Sequence, residues 1–208
     1  MSKRLFLVMA VVLAGIGVCF AEGDNLLLDD FEVVVSGGAD GTVDFGAGNG
    51  STVQVTAATD IKNTGNQSLK IVYDAAPGGY MYVARGAGLD AKNADWPVKL
   101  EEIKWKDYSA ISFYLYGTDS KAKIALDIKD NGNELWRFIS EDNFKGWRKV
   151  SCSFDKFVAR DDWQPNGADK NGEIDFPINS FQFEVLPESK GIFYFDTVEL
   201  VKRLSPLN

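Results

Sequence analysis

One pattern recurs along the chain. Short apolar runs of period two are closed off by clusters of Gly, Asn, Asp and Pro. In AISFYLYG (110–117), Ile111, Phe113 and Leu115 alternate with Ser112, Tyr114 and Tyr116. In AKIALDIKD (122–130), Ile124, Leu126 and Ile128 alternate with Ala125, Asp127 and Lys129. SFQFEVL (180–186) sets Phe181, Phe183 and Val185 against Gln182 and Glu184. GYMYVAR (79–85) sets Met81 and Val83 against Tyr80, Tyr82 and Ala84, and ELWRFIS (134–140) sets Trp136 and Phe138 against Arg137. Successive side chains on a strand point to opposite faces, so each run reads as a strand with one core face and one outer face. The outer faces are well supplied with Tyr, Asp, Arg, Gln and Glu.

Further strands are predicted at LLLDDFEVV (26–34), STVQVTAA (51–58), SLKIVYDA (68–75), WRKVSCSF (147–154) and IFYFDTVELV (192–201). DNGN (130–133) has the composition of a hairpin turn. Helical periodicity is weak throughout. Many short strands with turn-rich joints predict an all-β sandwich or barrel. There is no internal repeat and no low-complexity linker. The longest irregular stretches are 86–107 and 158–175. Loops of that length in a compact domain are often functional.

The first 21 residues are expected to be cleaved. Lys3 and Arg4 form a basic start, Leu5 to Phe20 is apolar, and Ala21 is a small residue before Glu22. This is the layout of a secretory signal peptide. The apolar part is shorter than the roughly 20 residues of a membrane span. Val18 before Cys19 is not the small residue that a lipid-attachment signal favours. Residues 22–208 are predicted to form one domain, secreted or periplasmic, with no membrane insertion. Without Lys3 and Arg4 the 22 basic residues become 20 against 30 acidic, a net charge of −10. That charge argues against nucleic acid or an anionic membrane as partner. Cys152 is the one cysteine after the leader, and in VSCSF it is expected to face the core. The chain has no histidine, which removes Ser-His-Asp and Cys-His catalysis and the commonest zinc ligand.

LLLDDFE, NTGNQSLKI, WQPNGADKNGEIDF and FYFDTVELV, in this order, resemble carbohydrate-binding modules with a galactose-binding-like jelly roll. The chain is most similar to family eleven and to complex I intermediate-associated domains. The resemblance covers nearly the whole chain after the leader. It implies two antiparallel sheets, one forming a shallow cleft for a glycan chain, mainly β-glucan, and a structural calcium ion away from that cleft.

The resemblance also gives a role to Asp196, a carboxylate inside an apolar strand. An unpaired buried carboxylate is very costly. In such jelly rolls the first and last strands run together at one edge. Asp30 and Glu32 would then join Asp196 around calcium, with backbone carbonyls from Asn63 to Ser68 completing six to eight oxygen ligands. The alternative is that Asp29 and Asp30 are solvated turn residues and Asp196 accepts backbone donors. DKNGEID (169–175) lacks the full acidic set of a calcium loop and reads as a turn.

Sugars are held by aromatic rings stacking on pyranose faces and by polar groups pairing with hydroxyls. Tyr80, Tyr82, Asp127, Arg137, Gln182 and Glu184 supply both, and the resemblance places their strands in the cleft sheet. Without a ligand the same residues would form a solvated face with cross-strand pairs such as Asp127 with Arg137. Tyr114 and Tyr116 are assigned to the opposite sheet. Trp96, Trp105 and Trp147 are assigned to sheet edges. Trp163 is assigned to core packing, with one end of the cleft as its alternative. The expected function is therefore a secreted, non-catalytic polysaccharide- or oligosaccharide-binding protein. A second reading is a structural component of an envelope or filament with protein partners there, since Gly146 to Val150 is similar to the GWRxV stretch of spirochaete flagellar sheath proteins. A third is a glycosidase using Asp127 and Glu184, which would have to face each other across a cleft.

Overall fold

The computed structural model describes residues 25–33 and 35–203, so the expected signal peptide, Cys19 and Val34 lie outside the described residues. Two six-stranded antiparallel sheets pack face to face as a jelly-roll sandwich. The first sheet runs β3 (Thr52–Ala58), β4 (Ser68–Ala75), β12 (Ser189–Lys202), β6 (Tyr108–Thr118) and β9 (Lys145–Ser153), with β1 (Leu26–Asp29) also paired to β12. The second runs β10 (Val158–Ala159), β8 (Leu135–Glu141), β7 (Lys123–Lys129), β11 (Ser180–Val185), β5 (Tyr80–Gly86) and β2 (Asp44–Gly48). Among the described residues no helix is long and apolar enough to cross a membrane.

The alternation read from the sequence is what builds the core. Phe113 on β6 and Phe195 on β12 face Phe183 on β11, with ring centroids 5.1 Å and 3.9 Å from Phe183. Those contacts join one sheet to the other. Cys152 on β9, opposite Ile111, is wholly buried in the same core, and burial pushes its thiol pKa up, which makes it an inert core group. A buried ion pair also crosses the sandwich. Asp29 on β1 accepts from Nε of Arg85 on β5, whose guanidinium donates on to the carbonyls of Thr42 and Asn93. Asp29 is thus a core residue rather than a solvated turn residue.

Several expectations need correction. The first strand stops at Asp29 instead of running on toward residue 34. The Asp29 carboxylate accepts the N–H of Phe31 at 2.8 Å, and Phe31 adopts φ 56°, so the chain turns there. Two strands, β2 and β10, were not anticipated: DFGAG has few β-formers, and Val158–Ala159 is too short to show a period. The stretch 86–107 wraps the sandwich, and Trp96 and Trp105 from it are buried, Trp96 against Phe181 at 5.8 Å. Trp147 lies on the outer face of β9, edge-to-face with Tyr116 at 5.5 Å.

β1 and β12 do run together, but inside the sheet. On one side β12 pairs with β4 as far as Phe195, and with β1 from Val198 onward. Between them lie Asp196 and Thr197, which have no strand partner on that side among the described residues, and Thr197 adopts φ 44°. The loop leading into β4 fills this gap.

Candidate functional site

The outer face of the second sheet carries a groove of about 750 Å³. The strands whose outer residues were singled out, β8, β7, β11 and β5, lie side by side beneath it. Tyr80 and Tyr82 come from β5, Gln182 and Glu184 from β11 and Arg137 from β8, and all five line the groove. Each pair on one strand is two residues apart, so both members share a face. Register brings the polar residues into one row, with Gln182 opposite Asp127 and Asp127 opposite Arg137.

Asp127 is at the centre of that row and is wholly buried, so it does not present itself to a ligand as the sequence suggested. It lies under two arginines. Its carboxylate accepts from Arg137 Nε at 2.7 Å and Nη2 at 2.8 Å, from Arg160 Nη1 at 2.9 Å and from Gln182 Nε2 at 3.1 Å. Glu184 Oε2 accepts from both arginines as well. Burial is the largest influence on Glu184 and keeps its pKa above the usual carboxylate range, although Arg137 and Arg160 pull it down. Among the described residues, Arg137 Nη1 and Glu184 Oε1 have no hydrogen-bond partner, which leaves a donor and an acceptor for sugar hydroxyls. The cross-strand pair of Asp127 with Arg137 is therefore real, and it sits inside the groove floor rather than on a solvated face.

Arg160 and Asp162 also line the groove and escaped the sequence reading, and Trp163 joins them there, which was the alternative given for it. Arg160, Asp162 and Trp163 come from the long stretch after β10 and close one end of the groove. Asp162 accepts from Arg160 Nε at 3.0 Å and Nη2 at 2.6 Å, and the Arg160 hydrogen bonds hold its pKa below the usual range. Trp163 is 57% exposed, which corrects its assignment to core packing. Its loop runs over the outside of the sheet, where there is no second layer to bury an indole. The length of the 158–175 stretch and the run RDDW were the signals available.

Away from the groove, Asp196 now has partners. Its Oδ2 accepts the N–H groups of Asn63 at 2.8 Å and Thr64 at 3.1 Å, and its Oδ1 accepts the hydroxyl of Thr197 at 3.0 Å. Glu32 reaches the same loop from the other end of the chain and accepts the N–H groups of Asn66 and Gln67. The Gln67 N–H is the largest influence holding the Glu32 pKa below its usual value. Asp30 accepts the N–H of Glu32 at 3.1 Å and does not join the other two. So Glu32 and Asp196 both reach loop 63–67, and the loop offers them N–H groups rather than carbonyls. As placed, these residues do not fit an ion that needs six to eight oxygen ligands. In DKNGEID, Asn171 Nδ2 donates to Asp169 and Asp175 at 3.0 Å and 2.7 Å, which closes the segment on itself as a turn.

The fold and the groove define a class: a jelly-roll binding module with an open face of aromatic rings and polar groups. The chain belongs to the family 11 carbohydrate-binding domains, whose family model matches residues 19–203. Endoglucanase H of Acetivibrio thermocellus is 28% identical over 184 residues, which are 84% of this chain and 18% of that enzyme. This chain thus spans less than a fifth of the length of that relative. The same fold is seen in the family 11 module of the cellulosomal cellulase Lic26A-Cel5E of Clostridium thermocellum, with TM-score 0.67 and 21% identity, covering 88% of this chain and 96% of that one. A family 11 module from the same organism in complex with a β-1,3-1,4-mixed-linked tetrasaccharide matches with TM-score 0.66 and 21% identity over 86% and 96% of the two chains.

Proposed function

We propose that this protein is a secreted or periplasmic, non-catalytic module that binds a β-glucan chain along the groove of the second sheet. The observation that carries this reading is the meeting of Tyr80, Tyr82 and Trp163 with Arg137, Gln182 and Glu184 in one groove. The rings offer stacking faces, and the polar floor is held rigid from below by Asp127. The tetrasaccharide complex of the similar module supports β-glucan as the ligand class. The basic and apolar first 21 residues support export.

The groove is poorly built for hydrolysis. Asp127 and Glu184 lie on neighbouring strands of the same floor and share Arg137 Nη2. A glycosidase needs its two carboxyl groups to flank the scissile bond. Polar groups in an open groove must be desolvated before they pair, so affinity is expected to be micromolar to near-millimolar, on the order of −4 to −8 kcal/mol. Titration calorimetry with a mixed-linked glucan series is the test. Tyr82→Ala should weaken binding by removing a stacking face, and Arg137→Ala by removing donors. Tyr114→Ala, on the opposite sheet, should change nothing. Reducing ends released by the purified protein would contradict the non-catalytic reading.

If no glucan binds at millimolar concentration, assembly with envelope or filament proteins takes the place of this reading. It is favoured by one observation: Tyr194, Tyr116 and Trp147 form a cross-strand aromatic row on the outer face of the first sheet.

Calcium is a separate proposal. It is supported by Glu32 and Asp196 reaching one loop from opposite ends of the chain, and it requires that loop to exchange N–H groups for carbonyls. A ligand bound only by the folded state raises stability by mass action. Chelator is expected to lower the melting temperature and added calcium to restore it, with no response in Asp196→Ala. An unchanged melting curve in chelator would leave the N–H bonds as the whole of the tie.

A further inference from the structure

Tyr80 and Tyr82 of β5 stand directly opposite Gly48 and Gly46 of β2. Glycine weakens a strand interior, and its usual justification is a backbone that other residues avoid. That justification fails here, since neither glycine has a positive φ. What both positions lack is room. A Cβ on Gly48 would come within 2.6 Å of Cε1 and 2.7 Å of Cζ and Oη of Tyr80. A Cβ on Gly46 would come within 3.0 Å of Cε1 and 3.2 Å of Oη of Tyr82. The tips of both rings therefore lie down over the glycine α-carbons instead of standing upright on the sheet. Phe45 and Ala47 point the other way and pack against the core. In DFGAG the core face is filled by Phe45 and Ala47, while the other face carries the two glycines and Asp44, whose carboxylate accepts from the Tyr82 hydroxyl at 3.5 Å. Tyr80 keeps about half of its surface open to solvent in this pose, at 48% exposure.

We propose that Gly46 and Gly48 are positioning residues of the glycan-binding face. Their missing side chains form the seat on which Tyr82 and Tyr80 lie, and the seat aims the open ring faces at the sugar. This rests on the reading of the groove as a glucan site. The clash at Gly48 is with the far end of a side chain, so an added methyl lifts the ring and leaves the strand in place. The gap at Gly46 is wider, so the same change there displaces its ring less.

The experiment is a double-mutant cycle read by calorimetry with mixed-linked β-glucan, with melting curves alongside. Gly48→Ala is expected to weaken binding about three- to tenfold, the scale of one aromatic contact, with the melting temperature held. Gly46→Ala is expected to weaken it less. In a Tyr80→Ala background, Gly48→Ala is expected to cost nothing further, because its effect passes through that ring. Full binding by Gly48→Ala, or an equal loss in both backgrounds, would overturn the proposal. A second readout needs no ligand. The wild-type protein should show nuclear Overhauser contacts between the Tyr80 ring and the Gly48 α-protons, and Gly48→Ala should lose the corresponding close contact. Their absence in the wild type overturns the seat. Their presence in a protein that binds no glucan keeps the seat and refutes only the glucan reading.

Discussion

Asp127→Ala is expected to lower the melting temperature by about 6 to 20 °C, the largest stability effect of any single change in the groove. The carboxylate is wholly buried and accepts from Arg137, Arg160 and Gln182. Removing one partner of a buried ion pair leaves the other charge uncompensated, at a cost of roughly 3–5 kcal/mol. Here two guanidinium groups would be left to share Glu184, with Asp162 holding Arg160 alone. Each kilocalorie per mole shifts the midpoint of a domain this size by about 2–4 °C. Glucan binding should fall as well, since the forks of Arg137 and Arg160 lose the group that orients them. Thermal denaturation followed by circular dichroism reads the first effect. A midpoint within 2 °C or so of the wild type would mean that Asp127 carries little of the floor's stability.

Trp163→Ala is expected to do the opposite: no change in melting, and a loss of glucan affinity of about 30-fold. The indole is mostly exposed at the end of the groove, so the folded state loses little packing without it. Tryptophan is enriched among the residues that dominate binding energy, and a hot-spot side chain contributes about 2 kcal/mol or more, which is about 30-fold in affinity. Calorimetry on this variant beside Tyr82→Ala ranks the two ends of the groove. If Trp163→Ala binds as the wild type does, the ligand stops short of the 158–175 loop.

Within the groove sheet, β5, β7 and β11 were legible because each alternates over five or more residues, and β8 because Trp136 and Phe138 flank Arg137. Phe181 and Phe183 against Gln182 and Glu184 leave one reading of which face is buried. The same alternation puts Tyr80 and Tyr82 on one face of β5. β2 was not legible, because in DFGAG the glycines have no side chain to reveal a face. Their meaning lies on the neighbouring strand β5, for the ring that fills the space over Gly46 belongs to Tyr82, and the ring over Gly48 to Tyr80.

The sequence by itself determined the class of fold, the strands β5, β7, β8 and β11 beneath the groove and five of the side chains that line it, Tyr80, Tyr82, Arg137, Gln182 and Glu184. Period-two patterning is a local property, and local order is enough to say which residues face outward. Only the tertiary structure decided what lies above and below that surface. It put Asp127 under two arginines, because one of them, Arg160, arrives from a loop whose path no periodicity records. It left Trp163 in solvent, because that loop runs over the outer face where no second sheet covers it. It gave Asp196 the N–H groups of loop 63–67, because β12 changes partner from β4 to β1 at that residue and the gap must be filled. Each of these depends on segments far apart in the chain meeting at one place, and that meeting is set by packing rather than by any short stretch of residues.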